Sequence, residues 1–164
     1  AQKDAAAQDL IYQPQPVNAA NAGAVAVEMK HAYSKLSFLA TAGNGYTGAA
    51  NLTQVQITGG IYATGTLDMV AGTVDPAGTA TGALTLAAGE KALVVPMAAK
   101  PPLAVTCTID GEEFTTSITA DTMPSLLAGV EYEITLTVIG QEAVISSVKE
   151  VPWTTTEVNG GTIY

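Results

Sequence analysis

The chain has 164 residues, enough for one domain with a core of its own. With 48% hydrophobic and 13% charged residues, it does not have the composition of a disordered chain. A formal net charge of −9 without a single arginine leaves nucleic acid no surface to bind and argues against an anionic membrane.

Residues 1–24 read as a linker, or the remnant of an upstream domain. The Ala-rich start is too short for a stable helix, Leu10-Ile11-Tyr12 is a brief apolar patch, and Pro14 and Pro16 force extended backbone after it. A β-sandwich domain is expected over 25–153. It opens with an alternating stretch at 25–29 and continues through Leu36-Ser37-Phe38. Asn44-Gly45 marks a turn. A strand is expected over 52–57, with Thr53, Val55 and Ile57 on one face, ended by Gly59-Gly60. Another runs over 61–70, with Gly65 a bulge or a close approach. Asp75-Pro76-Ala77-Gly78 reads as a turn inside a mobile loop over 72–82.

Leu84 and Leu86 form a brief strand, and the apolar run at 92–95 reads as one covered on both faces. Residues 103–109 and 114–118 are paired through Asp110-Gly111, a strong two-residue hairpin signal. Residues 121–129 form a connection, expected to carry a helical turn. The clearest strand of all comes next: Tyr132, Ile134, Leu136 and Val138 alternate strictly with Glu133, Thr135 and Thr137, between Gly129 and Gly140. A return strand over 143–148 is expected to pair with it, and Trp153, the only tryptophan, to close a sandwich edge. Residues 154–164 form an extended tail with no obvious place in the core.

Few residues carry chemistry. Cys107 is the only cysteine, so no internal disulfide forms, and its place in the alternation of Leu103, Val105 and Ile109 makes it a core residue. His31, the only histidine, has no neighbours at ligand spacing and reads as structural or surface. Glu112-Glu113 and Glu131/Glu133 are the densest carboxylates; a glycosidase pair or a calcium site would require folding to unite them, and a solvated sheet face is the expected reading. No phosphate loop or dinucleotide fingerprint is present, and no cofactor is expected. Asn51-Leu52-Thr53 fits the glycosylation-acceptor pattern, which arises often by chance. No run approaches the roughly 20 apolar residues of a membrane span. The start at Ala1 reads as that of a processed or truncated chain.

Three stretches resemble bacterial fimbrillin-like proteins. His31-Ala32-Tyr33-Ser34-Lys35-Leu36-Ser37-Phe38 resembles their His-Ala-x-Ser-Lys-Leu-x-Phe strand. Thr64-Gly65-Thr66-Leu67-Asp68-Met69-Val70-Ala71-Gly72-Thr73-Val74 is similar to the strand and loop after it. The segment from Leu127 through Val138, with Val151-Pro152-Trp153-Thr154, resembles their closing end. The resemblance covers roughly residues 25–164 and suits a C-terminal domain of the family, whose members usually carry a further β domain ahead of the His-Ala-x-Ser-Lys-Leu strand.

This resemblance implies a Greek-key, transthyretin-like β-sandwich of about seven strands. It also implies export through the outer membrane from a lipoprotein precursor, and a non-enzymatic role at the cell surface as structural subunit or tip adhesin of a fimbria. The implied partners are other subunits, joined by strand exchange, and surface ligands. Val158, Ile163 and Tyr164 in the tail are the donor-strand candidates. The alternative is a carbohydrate- or ligand-binding sandwich module using Tyr12, Tyr33, Tyr46, Tyr62 or Trp153.

Overall fold

The computed structural model describes residues 2–3, 8–13 and 29–153. The strands, in chain order, are β1 (Gln2–Lys3), β2 (Ile11–Tyr12), β3 (Lys30–His31), β4 (Ser34–Ala42), β5 (Leu52–Ile61), β6 (Thr64–Asp68), β7 (Thr73–Ala77), β8 (Gly82–Ala87), β9 (Ala92–Val94), β10 (Leu103–Ile109), β11 (Glu112–Ile118), β12 (Val130–Ile139) and β13 (Glu142–Pro152). No helix occurs among the described residues. One sheet has the order β1-β9-β4-β12-β13 and a second β11-β10-β5-β8; β2-β3 and β6-β7 are separate two-stranded ribbons. The fold is all-β, with the two larger sheets packed as a sandwich. Among the described residues these sheets hold nine strands against the about seven expected, and seven of them (β4, β5, β8, β10, β11, β12 and β13) have six or more residues. The short β1 and β9 supplement them.

Alternation on β12 becomes one-sided burial: Tyr132, Ile134, Leu136 and Val138 are fully buried. Leu36 and Phe38 of β4 join them from the same sheet, and Val55, Ile57, Val105 and Cys107 face them from the other. Each fully buried apolar side chain contributes roughly 1.5–3 kcal/mol, so these two facing rows supply much of the driving force. β9 is buried at all three positions, as its unbroken apolar run requires.

Hairpin turns arise from local chemistry. Asp110 and Gly111 both take positive φ, 51° and 88°, the pattern of the type I′ turn that matches strand twist, and β10 pairs with β11 from Leu103↔Ile118 to Ile109↔Glu112. Gly140, at φ 59°, turns β12 into β13. One pairing is parallel: β4 runs beside β12 from Lys35↔Glu131 to Ala42↔Val138.

The structure differs from the sequence expectation at several places. Gly59 and Gly60 lie inside β5 rather than ending it, and Ile61 is its last residue, not the first of another strand. Gly60 takes φ 86° where an added Cβ would lie 2.3 Å from the Pro102 carbonyl oxygen, so this strand passes its neighbour at a distance only glycine permits. Residues 73–77, expected within a loop, form β7, with Pro76 opposite Gly65. Proline is tolerated there because β7 has a partner on one side only, so its missing N–H breaks no second ladder. Gly65 is the close approach expected, since its Cβ would meet Val95 Cγ1 at 2.8 Å. The connection over 121–129 forms no helix; at its start the Thr122 and Met123 N–H groups close a single turn on the Thr119 carbonyl, and Leu126 then bridges Met97. Most of the strand expected over 25–29 falls outside the described residues. Residues 2–3 and 11–12, from the stretch read as a linker, pair with β9 and β3.

Candidate functional site

Two features stand out on the first sheet. The first is β4 itself. On one side it pairs with β12 through eight residues, Lys35 to Ala42. On the other, among the described residues, it pairs with β9 only from Ser34 to Leu36. Residues 37–42 therefore present backbone groups that a further strand can use. Leu39 lies on this stretch and is more than half exposed.

The second feature is a clasp around Trp153. The Trp153 N–H donates to the Gly129 carbonyl at 2.9 Å, and the Gly129 N–H donates to the Tyr33 carbonyl at 2.9 Å. The indole stacks on the His31 imidazole with centroids 3.9 Å apart and planes 4° from parallel. Lys35 Nζ sits 3.7 Å from the ring centroid. The indole thus holds an imidazole and an ammonium against its π surface. The His31 Nδ1–H donates to Asp9 Oδ2 at 2.8 Å. The Ala32 N–H donates to the Leu10 carbonyl at 2.8 Å, and the Tyr12 hydroxyl to the Gly72 carbonyl at 3.0 Å. Residues 8–13, the start of β4 and the end of β13 are thus tied together, and the chain leaves the described fold at a fixed point.

This clasp decides what the aromatic residues can do. A sugar-binding platform needs an open ring face. Trp153 already holds His31 and Lys35 against its ring, and Tyr12 is buried. Tyr46 donates its hydroxyl to Asp110 Oδ2 at 2.7 Å. Tyr62 is partly buried against the core. Tyr33 is half-buried at the rim of a pocket beside β6.

The carboxylates singled out from the sequence are not brought together: Glu112 and Glu113 are on β11, at the edge of the second sheet, and Glu131 and Glu133 are on β12, inside the first. Glu131 is not on a wet face. It is 9% exposed and pairs with Lys91 Nζ at 2.6 Å, because its β4 neighbour Lys35 and the end of β13 shield it. Glu133 is more open and meets Lys149 at 3.4 Å. Cys107 is fully buried, and desolvation pushes its thiol pKa up, the reverse of what a nucleophile needs. Among the described residues, no group of three or more His, Cys, Asp or Glu side chains is arranged to hold a metal ion.

Sequence reasoning missed the clasp because Asp9, His31, Lys35 and Trp153 come from separate segments. It missed Lys100 as well, which is 5% exposed and donates to the Ile118 and Pro101 carbonyls at 2.7 and 3.2 Å. Burial lowers its pKa. Val158, Ile163 and Tyr164 lie outside the described residues.

The sequence profile of the fimbrillin-like family matches residues 1–153. The chain belongs to the fimbrillin-like family. Among solved structures, it is similar to a Bacteroides uniformis protein provisionally assigned to cell adhesion, at 23% identity and a TM-score of 0.64, over 79% of this chain and 54% of that one. A Bacteroides ovatus protein of the same provisional assignment matches at 18% identity and a TM-score of 0.61, over 81% of this chain and 49% of that one. The fimbrillin-like chain thus spans about half the length of these structures, and at such identities the likeness speaks for the fold. No curated protein matches it.

Proposed function

We propose that this fimbrillin-like chain is a non-enzymatic structural subunit or tip adhesin of a bacterial fimbria, displayed at the cell surface and assembled by β-strand exchange. The observation that carries this reading is the half-paired β4, whose residues 37–42 have a partner on one side only among the described residues. An extended peptide added there gains backbone hydrogen bonds, while its alternate side chains set the register. Residues 154–164 come directly after the clasped Trp153, and in this reading Val158, Ile163 and Tyr164 are the donor residues that complete a neighbour's sheet. Residues 25–153 are then the sandwich, with transthyretin-like Greek-key connections, and export runs through the outer membrane from a lipoprotein precursor. Membership of the fimbrillin-like family supports the reading. The carbohydrate-module alternative gains little from a Trp153 ring that already holds His31 and Lys35.

The test deletes residues 154–164 from the full-length protein. In this reading the sandwich should melt as before, within about 0.5 kcal/mol in denaturant, since the core of the described residues is built from positions before the tail. Fimbriae should disappear from electron micrographs. Polymers that persist would remove the tail as donor.

A further inference from the structure

The first sheet ends on β13, and among the described residues nothing pairs with the outer side of that strand. It has 11 residues, against a usual length of about 5–6, and Val144, Ile145, Val148 and Val151 lie along it. A long edge of that composition recruits further strands unless something interrupts it. Three interruptions are present. The Lys149 side chain is 72% exposed and only grazes Glu133, at 3.4 Å. Pro152 ends the strand without an N–H to donate. The third is a bulge. Ser147 stands opposite Thr135 and Ile145 opposite Leu136, so Ser146 between them has no partner on β12.

Side chains hold the bulge in place. The Thr137 hydroxyl donates to Ser146 Oγ at 2.7 Å, and the Ser146 hydroxyl donates to the Thr135 carbonyl at 3.2 Å. That bond engages the single proton of Thr137, so the Thr41 hydroxyl, 3.0 Å away, is the donor to Thr137. The relay thus runs in one direction, from β4 across β12 to β13. Residues 37–42 of β4 are built otherwise. They include no charged residue and no proline, and their register with β12 is unbroken.

We infer that the Ser146 bulge, held by the Thr41-Thr137-Ser146 relay and backed by Lys149, closes β13 to strand addition, so that of these two open stretches only residues 37–42 seat an incoming strand. A bulge bends its strand, increases the local twist and takes one residue out of the ladder. A straight strand laid along β13 loses its register there. Lysine and proline blunt the remainder of the edge. The longer and more β-branched of the two stretches is therefore the closed one, and the shorter, flat one is the seat. A donor strand then meets one site here instead of two in competition. This inference rests on the strand-exchange reading above and names what directs it.

The experiment uses the full-length chain. One variant deletes Ser146 and carries Lys149→Val; Ile145 then keeps its place opposite Leu136 and Ser147 opposite Thr135, so both faces of β13 keep their residues. A companion, Thr137→Val with Lys149→Val, removes the relay and the charge at constant chain length, and it decides the matter if the deletion melts without a cooperative transition. Amide hydrogen exchange and sedimentation velocity are measured at matched concentrations, on soluble and on assembled protein. Assembly of the wild type should add no protection over residues 143–151. The deletion variant should slow exchange there at least tenfold and form oligomers that the wild type does not, and the companion should move the same way by a smaller factor. Folded variants that associate no more than wild type overturn the inference. Wild-type fimbriae with β13 protected would sink the closed edge and leave strand exchange standing. New pairing through β13 in the variants, beside a wild type that never polymerises, would keep the closed edge and sink the fimbrial reading.

Discussion

Asp110 does two jobs with one residue. Its backbone sits in the left-handed region to turn the β10-β11 hairpin, and its carboxylate fastens that turn to the segment before β5. The carboxylate accepts from the Tyr46 hydroxyl, from the Ala50 N–H at 2.9 Å and from the Asn51 N–H at 3.0 Å. The bond from Tyr46, followed by those from Asn51 and Ala50, holds the Asp110 pKa below its ordinary value, and the same bond pushes Tyr46 up to about 12. A carboxylate with a depressed folded-state pKa adds stability above its unfolded value of about 3.9, and that stability is lost as pH falls through the folded value. Asp110→Asn should therefore lower the melting temperature at neutral pH, and its difference from wild type should shrink as the solution is acidified below about pH 4. Asparagine tolerates the same positive φ, so the comparison isolates the charge. A difference that stays constant down to acid pH would show that the carboxylate's charge is not what matters. Tyr46→Phe removes the main cause of the shift, and NMR titration should then find Asp110 closer to an ordinary aspartate.

At the scale of elements, β12 is where face assignment has the clearest cost. Leu136→Ala should destabilise by about 2–5 kcal/mol, the range for emptying a well-packed aliphatic site. Thr135→Ala, on the other face, should cost under about 0.5 kcal/mol. Equal losses in denaturant melts would contradict the buried row of Tyr132, Ile134, Leu136 and Val138. That row was legible in the sequence because one-sided burial imposes a period of two on any strand, and β10 and the Asp110-Gly111 turn were legible for the same local reasons. β7 was not, because Pro76 carries a turn signal wherever it stands, and only its pairing with Gly65 shows that it sits in a ribbon with one free side. Nor was the β4-β12 pairing, since two strands pair in parallel without leaving a mark in either sequence. The likeness of residues 31–38 to a fimbrillin strand covered the first part of β4, which begins at Ser34 and runs on to Ala42, but nothing local could say what lies against it.

Across the whole molecule, the central sheet joins distant pieces of chain. Thr41 and Thr137, 96 residues apart, bring their hydroxyls to 3.0 Å across the β4-β12 pair. Such topology pays its loop-closure entropy before contacts reward it, so refolding should take roughly milliseconds to seconds, and stopped-flow circular dichroism completed in microseconds would contradict the pairing. The clasp closes on this sheet last in sequence, and it is its weak point. His31 Nε2 and Asp9 Oδ1 are buried without a hydrogen-bond partner among the described residues, a cost of about 1–3 kcal/mol for each such atom. The core beneath has no such defect in its apolar rows. Local opening at the clasp should therefore require less free energy than global unfolding. Because Trp153 is the only tryptophan, its emission reports the clasp alone. His31→Ala should bare one face of the indole, raise its quenching by acrylamide and speed exchange of the Ala32 amide, while the far-ultraviolet dichroism of the sandwich stays unchanged. A variant whose tryptophan is quenched no more than wild type would mean that the His31 stack does not shield Trp153 in solution, and the fixed exit of the chain toward residue 154 would lose its basis.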